Sequence, residues 1–522
     1  MEECCLRGTI ETFGSHRSGF RTGGSDVDVV YLPDEGVQRM IQEGETSATA
    51  ILQMFAVSLL ERGYYNMVSV FHATLPLLKV VAPNGADVDL CVGNELGLRN
   101  SQLMHTYGKL DERVTQLGQN IKNFAKHFDI GCSVDGHLNS YAYTLMSIYY
   151  LMCTNPVVIP NLQNLSAQVD NAPMIVKDQR WGCQDEWDCQ YFENVDLIPK
   201  NRNKMDLGEL THGFFNFYVN VFDWQRHAVS VRLATTSQVT GGHPLKEGLK
   251  STQGSNVWYI EDPFDLKHNL AALSTSTARA RIMDCMQRVL AALNAAPQAH
   301  LLKAFYEECP QDGEHVRSMG YWLKSRVQPE KVSKEKFMEA FQFYPIEVLY
   351  WPKQPATSNG VRVEAFLKFA KEKDRRATHI FNERYVGNWQ VRLLSCSAHA
   401  MEDASRETGA EFEKIEGFSE RAQQEPSSQA DLAEQIRTGL LAAERPEEVN
   451  VLLQRAKAMG LQDEVRLAES MLGSKGKLDS EGGGRWRARD RRTSSMQHEA
   501  KDKAKREAEG AKPKASGATL FQ

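Results

Sequence analysis

The feature that most constrains this chain is a turn-rich stretch near its N-terminus, FGSHRSGFRTGGSDVDVVYL, at residues 13–32. The pair Gly14-Ser15 follows a β-rich segment, and Asp26 and Asp28 open the next apolar run. Alternate residues of a strand face one side, so the two carboxylates project together at about 6–7 Å spacing. Such oxygen ligands suit Mg²⁺ or Mn²⁺. A glycine allows close backbone approach, and a helix that begins at Ser15 would aim free N–H groups at an anion, so the stretch indicates phosphoryl chemistry.

A second acidic strand follows at residues 86–92, with the sequence ADVDLCV. Its two carboxylates, Asp87 and Asp89, lie two residues apart and therefore share one face. Clustered like charges destabilise a protein unless a cation compensates them. Three or four carboxylates on one sheet are therefore unlike the residues of a hydrophobic core. An Asp-x-Asp pair alone is usually a solvated turn, and the combination is what favours a metal site. The spacing leaves both Asp87 and Asp89 open as a third ligand.

Helical periodicity dominates the chain after these strands. Apolar residues step by three and four along residues 113–128, and Lys122 and Lys126 project together from the flank of that helix. A lysine pair of this kind is usually a solvated face, but beside a carboxylate site it would hold a triphosphate. Residues 138–152 are apolar all round and start at Asn139, which is a good N-cap. We therefore expect an α+β head followed by a mainly helical domain.

Composition narrows the class of protein. The formal net charge of -6 indicates no general polyanion-binding surface, so any nucleic-acid site must be a local basic patch. The ten cysteines form no Cys-x-x-Cys pair, which favours reduced thiols in a cytosol-like compartment. The most apolar helix falls short of the roughly 20 residues that span a bilayer, so we expect no membrane association. The expected location is the cytoplasm, with the nucleus and organelles as open alternatives.

Residues 296–405 form an accessory region of uncertain fold. Strand-like runs occur at residues 347–351 and 389–396, and we interpret residues 361–373 between them as a helix. Two interpretations stay open: a structural extension of the helical domain, which we favour, and a small RNA-recognition-motif-like domain. No RNP phrase is legible in this region.

The C-terminal part is charged. Residues 406–474 include two amphipathic helical patterns, and residues 475–522 contain 13 Lys and Arg against 7 Asp and Glu with almost no core formers. This composition predicts a disordered basic tail. Its RWRAR segment would bind RNA phosphates non-specifically, or it is simply a solvated terminus.

The ordered motifs resemble the DNA polymerase β-like nucleotidyltransferase superfamily, whose signature is a Gly-Ser pair, a short spacer, Asp-x-Asp and a third carboxylate on a later strand. Within it, the chain resembles the branch of noncanonical poly(A) polymerases and terminal uridylyltransferases. Five phrases carry this closer resemblance: ADVDLCVGNELGLRNSQLM, IKNFAK, HLNSYAYTLMSIYYLM, LGELTHGFFNFYVNVFDW and WYIEDPFDLKHNLA. The third-to-last residue of IKNFAK is Phe124, where the family usually has Trp. The resemblance covers residues 9–293.

The resemblance implies a polymerase β-like head, with a mixed sheet and helices, followed by a mainly helical PAP-associated domain. The expected division is a catalytic domain at 1–110, a helical central domain with a nucleotide-recognition loop at 111–295, the accessory region at 296–405, the charged helical region at 406–474 and the tail at 475–522.

The resemblance also implies roles for individual residues. Asp26, Asp28 and Asp89 would hold two Mg²⁺ ions that activate an RNA 3′-hydroxyl and stabilise pyrophosphate as it leaves. Alignment to the family phrase favours Asp89 over Asp87 as the third carboxylate. The expected nucleotide-binding residues are Gly14, Ser15, Lys122 and Lys126 at the triphosphate, Asn100 and Ser101 at the ribose, Ser140 and Tyr141 on the helix that contacts the nucleotide and its base, and Asp262, Asp265 and His268 in the base-recognition loop.

The activity implied is template-independent transfer of nucleotides to an RNA 3′ end. His268 favours UTP as the donor, because a histidine there offers a hydrogen bond to a uracil carbonyl and disfavours the larger purine. A poly(A) polymerase that uses ATP is the first alternative. An inactive RNA-binding scaffold of the same fold is an alternative from another class, and the presence of all three expected carboxylates argues against it. The expected partners are UTP and the RNA 3′ end, and the sequence indicates no particular protein partner.

Overall fold

The computed structural model describes most of the chain up to residue 416. The described residues are 6–23, 25–71, 75–168, 173–177, 185–234, 243–246, 249, 258–310, 320–327, 333–341, 346–353, 363–370, 375, 384–386, 389–391, 393–416 and 465–466. The chain divides into two compact units, Met1–Ala422 and Gln423–Gln522. The helices predicted within 406–474 lie outside the described residues, apart from 406–416 and 465–466, and the predicted tail lies wholly outside them.

A five-stranded mixed sheet forms the head of the first unit. Its strands are β1 (Gly8–Phe13), β2 (Val27–Pro33), β3 (Tyr65–Val70), β4 (Leu77–Val81) and β5 (Asp87–Val92). The strand order is β1-β2-β5-β4-β3, in which only the β2–β5 pairing is parallel. This mixed sheet confirms the α+β head that was predicted from the two acidic strands.

Three helices belong to the head: α1 (Gly14–Ser18), α2 (Glu35–Gln42) and α3 (Ala48–Glu61). The hydroxyl of Ser47 accepts the N–H of Ala50 at 3.1 Å and so caps the start of α3. This helix buries Ile51 and Phe55 against Tyr31 of the sheet. The head therefore has an apolar core on the α3 side of its strands.

The central domain is mainly helical, as predicted. Its helices are α4 (Glu95–Leu110), α5 (Glu112–His127), α6 (Ser140–Cys153), α7 (Leu162–Gln168), α8 (Leu207–Asn216), α9 (Ser276–Ala295) and α10 (Leu301–Glu308), with a hairpin of β6 (Ile175–Lys177) and β7 (Glu186–Asp188). The side chain of Asn139 accepts the N–H of Ala142 at 2.8 Å and caps α6. Every residue from 142 to 152 is buried, so α6 is the axis of this domain. None of the helices in the described residues is long and apolar enough to cross a membrane.

The accessory region contains a second sheet. Its strands are β8 (Tyr321–Val327), β9 (Val348–Pro352), β10 (Val363–Phe369), β13 (Leu393–Cys396) and β14 (Phe412–Glu416), with a hairpin of β11 (Arg384–Val386) and β12 (Trp389–Val391) and two helices, α11 (Lys334–Phe341) and α12 (Ala400–Thr408). The antiparallel order is β13-β8-β10-β9-β14. The favoured interpretation of this region as an extension of the helical domain is therefore wrong.

The helix expected at residues 361–373 is also wrong, because β10 occupies its centre. This strand is buried on both faces: Leu367 and Phe369 join the core under α11, while Phe366 packs with Trp322 beneath α12. The sequence VRVEAFLKF at residues 361–369 alternates apolar residues with Arg362, Glu364 and Lys368, which is a strand pattern that only the buried Phe366 interrupts, and the helix interpretation overlooked it. The strand-helix-strand-strand order fits the second interpretation, but α12 covers the aromatic face that would otherwise stack on bases.

Buried charges join the accessory sheet to the central domain. The carboxylate of Asp129, directly after α5, accepts the N–H of Ala398 at 2.6 Å. Asp135 accepts the N–H of Ser397 and pairs with Lys324 of β8 at 3.2 Å. Asp129 has a φ of 52°, in the left-handed region that Asp tolerates better than most residues. The accessory sheet is therefore docked at the C-terminal end of α5.

We expect Asp129 to make stability depend on pH. Burial raises the pKa of its carboxyl to about 7, so the folded chain retains a proton that the unfolded chain has lost between about pH 4 and about pH 7. Its contribution to the free energy of unfolding is therefore present below about pH 4 and is lost as the pH rises to about 7. Asp129→Asn keeps an acceptor for Ala398 and should remove this part of the pH dependence. Urea unfolding across that pH range measures it.

The matched control for this experiment is Asp284→Asn, at an exposed position of α9. Other buried carboxyls contribute equally to the pH dependence of the wild type and of both variants. The difference between Asp129→Asn and Asp284→Asn in the slope of unfolding free energy against pH therefore isolates the contribution of Asp129. If the unfolding free energy of Asp129→Asn fell with pH as steeply as that of the wild type, Asp129 would not be the source of this pH dependence.

Candidate active site

Strand pairing brings two of the predicted carboxylates together. Asp28 of β2 lies directly opposite Asp89 of β5 in the parallel pair, and neighbouring strands run about 4.8 Å apart. Asp26 lies two residues before Asp28, just ahead of β2. Asp87 is opposite Val81 of β4, at the beginning of β5. Of the two candidates that the spacing left open, Asp89 is the one that faces Asp28.

The electrostatics of Asp28 reflect this crowding. Burial and, after it, the neighbouring Asp89 and Asp26 carboxylates raise its pKa to about 6, although Lys79 and the N–H of Ser15 oppose the change. The carboxylates of Asp89 and Asp26 thus lie close enough to Asp28 to disfavour its ionised form. Within the described ranges, no three Asp, Glu, His or Cys side chains already stand in an arrangement that coordinates a metal ion.

The turn at Gly14 is built around Asp28. Gly14 has a φ of +64°, and a Cβ at that position would lie 1.9 Å from Oδ2 of Asp28. Its N–H donates to Oγ of Ser101 at 2.8 Å, and the Ser101 hydroxyl donates to the Gly97 carbonyl at 2.7 Å. Helix α1 begins at Gly14 itself, one residue before the predicted Ser15. Ser101 thus supports the turn, and its expected ribose contact stays a prediction.

The two predicted lysines lie on α5 and hold the loop that follows α1. Nζ of Lys122 donates to the Phe20 carbonyl at 2.7 Å, and Nζ of Lys126 donates to the Gly23 carbonyl at 2.9 Å. Burial lowers the pKa of Lys122 to about 8, and the Asp28 carboxylate counteracts that shift. Lys122 is therefore close enough to Asp28 for their charges to interact.

Two family models match the chain in regions that contain these elements. The model described as "Poly(A) RNA polymerase, mitochondrial-like, central palm domain" matches residues 2–109, and the one described as "Cid1 family poly A polymerase" matches residues 206–268. The first range contains all five strands of the head sheet and the carboxylates on it. The second contains α8 and the predicted base-recognition loop.

Curated relatives agree with the models. Human terminal uridylyltransferase 7 is 32% identical over 269 residues, which is 50% of this chain but 17% of that protein. Terminal uridylyltransferase cid1 of Schizosaccharomyces pombe is 29% identical over 315 residues, which is 58% of this chain and 73% of that protein. Together these matches support the polymerase β-like nucleotidyltransferase superfamily, in the branch of poly(A) polymerases and terminal uridylyltransferases, as the family of this chain. A solved structure of the Cid1 poly(U) polymerase with Mg 3′-dATP bound is 27% identical, covers 58% of this chain and 86% of that chain, and has a TM-score of 0.48.

Two polar atoms lack hydrogen-bond partners among the described residues where the head meets the central domain. Nδ2 of Asn100 donates to Oδ2 of Asp262 at 3.3 Å, while Oδ1 of Asn100 is buried without a hydrogen-bond partner among the described residues. The hydroxyl of Tyr141 is buried without a partner in the same way, and its pKa lies well above the usual value because of burial and the nearby Asp262. Unpaired buried polar atoms are costly, so these two are suited to a polar ligand.

Asp262 organises the predicted base-recognition loop. Its Oδ1 accepts the N–H groups of Phe264 and Asp265, both at 3.0 Å, and burial raises its pKa despite those bonds. The loop closes where the His268 N–H donates to the Asp265 carbonyl at 2.8 Å. His268 is exposed, and so is Ser140 at the start of α6. A direct contact of Asp262, Asp265, His268 or Ser140 with a base stays a prediction.

The sequence analysis did not predict one charged residue of the candidate site. Lys79 lies in the middle of β4, opposite Asp89, and the two side chains form an ion pair. The available signal was a single charge inside the otherwise apolar run LLKVV. Its significance depends on the strand register, which the sequence pattern alone does not give.

We expect Gly14→Ala to abolish most nucleotidyl transfer. The new methyl group would clash with the Asp28 carboxylate, and a displacement of about 1 Å at a reacting centre costs about 100-fold in rate. The left-handed backbone should add about 1–2 kcal/mol of instability. Single-nucleotide extension of a 3′-hydroxyl RNA and thermal unfolding measure the two effects.

Gly85→Ala is the matched control for this substitution. Gly85 also has a left-handed φ, of +84°, but a Cβ there meets nothing within 4 Å. It should lose similar stability and keep its rate. Equal losses of rate in the two variants would show that backbone strain, and not the contact with Asp28, explains the effect.

Proposed function

We propose that this chain adds nucleotides to RNA 3′ ends without a template, with UTP as the preferred donor. The observation that carries the proposal is the parallel register of Asp28 with Asp89, next to the Gly14 turn and the α5 lysines. Two carboxylates beside a glycine turn and a lysine pair suit phosphoryl transfer, in which catalysis is mostly positioning and charge stabilisation. Membership of the superfamily supports the same reaction class.

The donor set fits Mg²⁺ or Mn²⁺. The three candidate ligands, Asp26, Asp28 and Asp89, offer carboxylate oxygens only, and the two neighbouring carboxylates contribute, after burial, to the raised pKa of Asp28. When bound, divalent ions would activate the RNA 3′-hydroxyl and stabilise the departing pyrophosphate. Asp89, opposite Asp28, would be the ligand from β5.

Side chains of the central domain would hold the nucleotide. Lys122 and Lys126 would exchange their loop carbonyls for the triphosphate, whose negative charge makes it a stronger acceptor than a neutral carbonyl. Oδ1 of Asn100 would accept a ribose hydroxyl, which would favour ribonucleotides. The ring of Tyr141 would stack on the base, while its hydroxyl would gain the partner that it lacks in the described fold.

The base preference is proposed to depend on His268. A donor at that exposed position would suit a uracil carbonyl, and both curated relatives compared above are terminal uridylyltransferases. ATP is the second candidate, because both matching family models are described as poly(A) polymerases. Incubation of a 3′-hydroxyl RNA with Mg²⁺ and each NTP separately decides between them: UTP should give the longest products, and dominant ATP incorporation would overturn the uridylyl assignment.

The role of His268 is tested by His268→Ala. The ratio of kcat/KM for UTP to that for ATP should fall about 10-fold or more, the size expected for loss of one specific hydrogen bond. His300→Ala is the control, since His300 is exposed and lies outside the recognition loop. An unchanged ratio in His268→Ala would remove this residue from base selection.

Asp89→Asn should abolish RNA extension. Groups that merely support a metal ligand already cost roughly 10- to 100-fold when removed, so loss of a ligand itself should cost more than about 100-fold. Asp87→Asn is the matched control, because Asp87 begins the same strand two residues away. Extension by gel assay and folding by circular dichroism measure the outcome. Full activity in Asp89→Asn would refute the carboxylate assignment, and no activity in the wild type would favour the inactive scaffold.

A further inference from the structure

Lys79 is placed where it can act on the carboxylate site. It is the only charged residue of β4, and it lies directly opposite Asp89 in the antiparallel pairing with β5. Nζ of Lys79 and Oδ2 of Asp89 are hydrogen-bonded as an ion pair. The Asp89 side chain is 14% exposed and that of Lys79 is 38% exposed, so the pair is partly shielded from water. An ion pair in this setting is worth more than one on the open surface.

The ammonium group contacts an oxygen that a metal ion could also use. Lys79 donates a hydrogen bond to Oδ2 of Asp89, which occupies one acceptor position of that carboxylate and withdraws electron density from it. The positive charge of Lys79 also attracts Asp28, the carboxylate on the far side of Asp89. The same charge repels any second cation that enters the site. A cation that binds Asp89 would therefore have to overcome the positive charge of Lys79.

We propose that Lys79 is a positioning residue that serves as the counter-ion of Asp89 until metal and nucleotide arrive together. This inference rests on the proposed function. A triphosphate brings the negative charge that offsets the repulsion between Lys79 and the metal, and Mg²⁺ is commonly bound through one or two carboxylates plus substrate phosphates. Nucleotide and metal binding are then coupled, and the coupling is reciprocal. In the absence of nucleotide, Lys79 keeps Asp89 in place and keeps metal affinity low.

A purely structural role for Lys79 predicts something different. If the ammonium group only stabilised Asp89, its removal would lower the free energy of unfolding and would change metal affinity equally with and without nucleotide. The counter-ion role predicts a change in metal affinity that is large without nucleotide and small with it. Metal binding measured in both states therefore separates the two roles.

The test is Mn²⁺ binding to the full chain, measured by electron paramagnetic resonance of the free ion, with and without a non-hydrolysable UTP analogue. Lys79→Met removes the charge at similar side-chain length. It should bind Mn²⁺ about 10-fold more tightly than the wild type without nucleotide, and the gain on adding the analogue should shrink by the same factor. Lys79→Arg retains the pair and should behave like the wild type.

Two further variants test whether the effect is due to the charge of Lys79 and is specific to its position. Lys79→Gln keeps a hydrogen-bond donor for Asp89 without the charge, and it should reproduce the effect on Mn²⁺ affinity even if Lys79→Met does not fold. Lys177→Met removes another cross-strand pair, with Glu186 on the exposed hairpin, and should leave Mn²⁺ binding unchanged.

Unchanged or weaker Mn²⁺ binding by nucleotide-free Lys79→Met and Lys79→Gln would overturn the inference. An equal gain with and without the analogue would also overturn it. These outcomes differ from a failure of the proposed function, because wild-type chain that binds no Mn²⁺ even with the analogue would refute the metal site itself.

Discussion

The candidate site is arranged around two carboxylates that repel each other, those of Asp28 and Asp89. The parallel pairing of β2 with β5 holds these carboxylates side by side, and two unit charges at the spacing of neighbouring strands repel by on the order of 3 kcal/mol at an effective dielectric constant near 20. A sheet assembled for stability alone would separate them. The elements around the pair are consequently arranged to tolerate it, through the N–H of Ser15 and the ammonium group of Lys79.

Parts of the chain that are distant in sequence converge on this pair. The Gly14 turn approaches Asp28 so closely that no side chain fits, and Ser101 of α4 holds the turn by accepting the Gly14 N–H. From the other side, Lys122 of α5 holds the loop that leads to Asp26. The head supplies the negative charge and the central domain supplies a positive one, so the two domains form one electrostatic arrangement.

Local signals in the sequence predicted the parts of this arrangement that have a short-range cause. The apolar run after Asp26 predicted the strand β2, which begins at Val27 and carries Asp28, and Asn139 predicted the start of the buried helix α6. Long-range register was not predictable, so Lys79 was missed although it lies opposite Asp89. The strand β10 was also missed, although residues 361–369 alternate apolar and charged side chains at every position except Phe366, which is buried against Trp322. The contacts of Asp129 and Asp135 with the accessory sheet span more than 260 residues and leave no local trace.

The charges of the accessory sheet explain what that sheet does in the described fold. Lysines on or beside its strands pair with glutamates, as in the pairs Lys334–Glu413, Lys353–Glu411 and Lys368–Glu347, and such pairing reduces the positive charge available to phosphates. Its aromatic face is covered by α12. What the sheet does provide is the anchor at Asp129, three residues after Lys126 on the helix that carries both triphosphate candidates. Because that helix end is tied to the sheet, docking of the accessory region restrains the position of the two lysines.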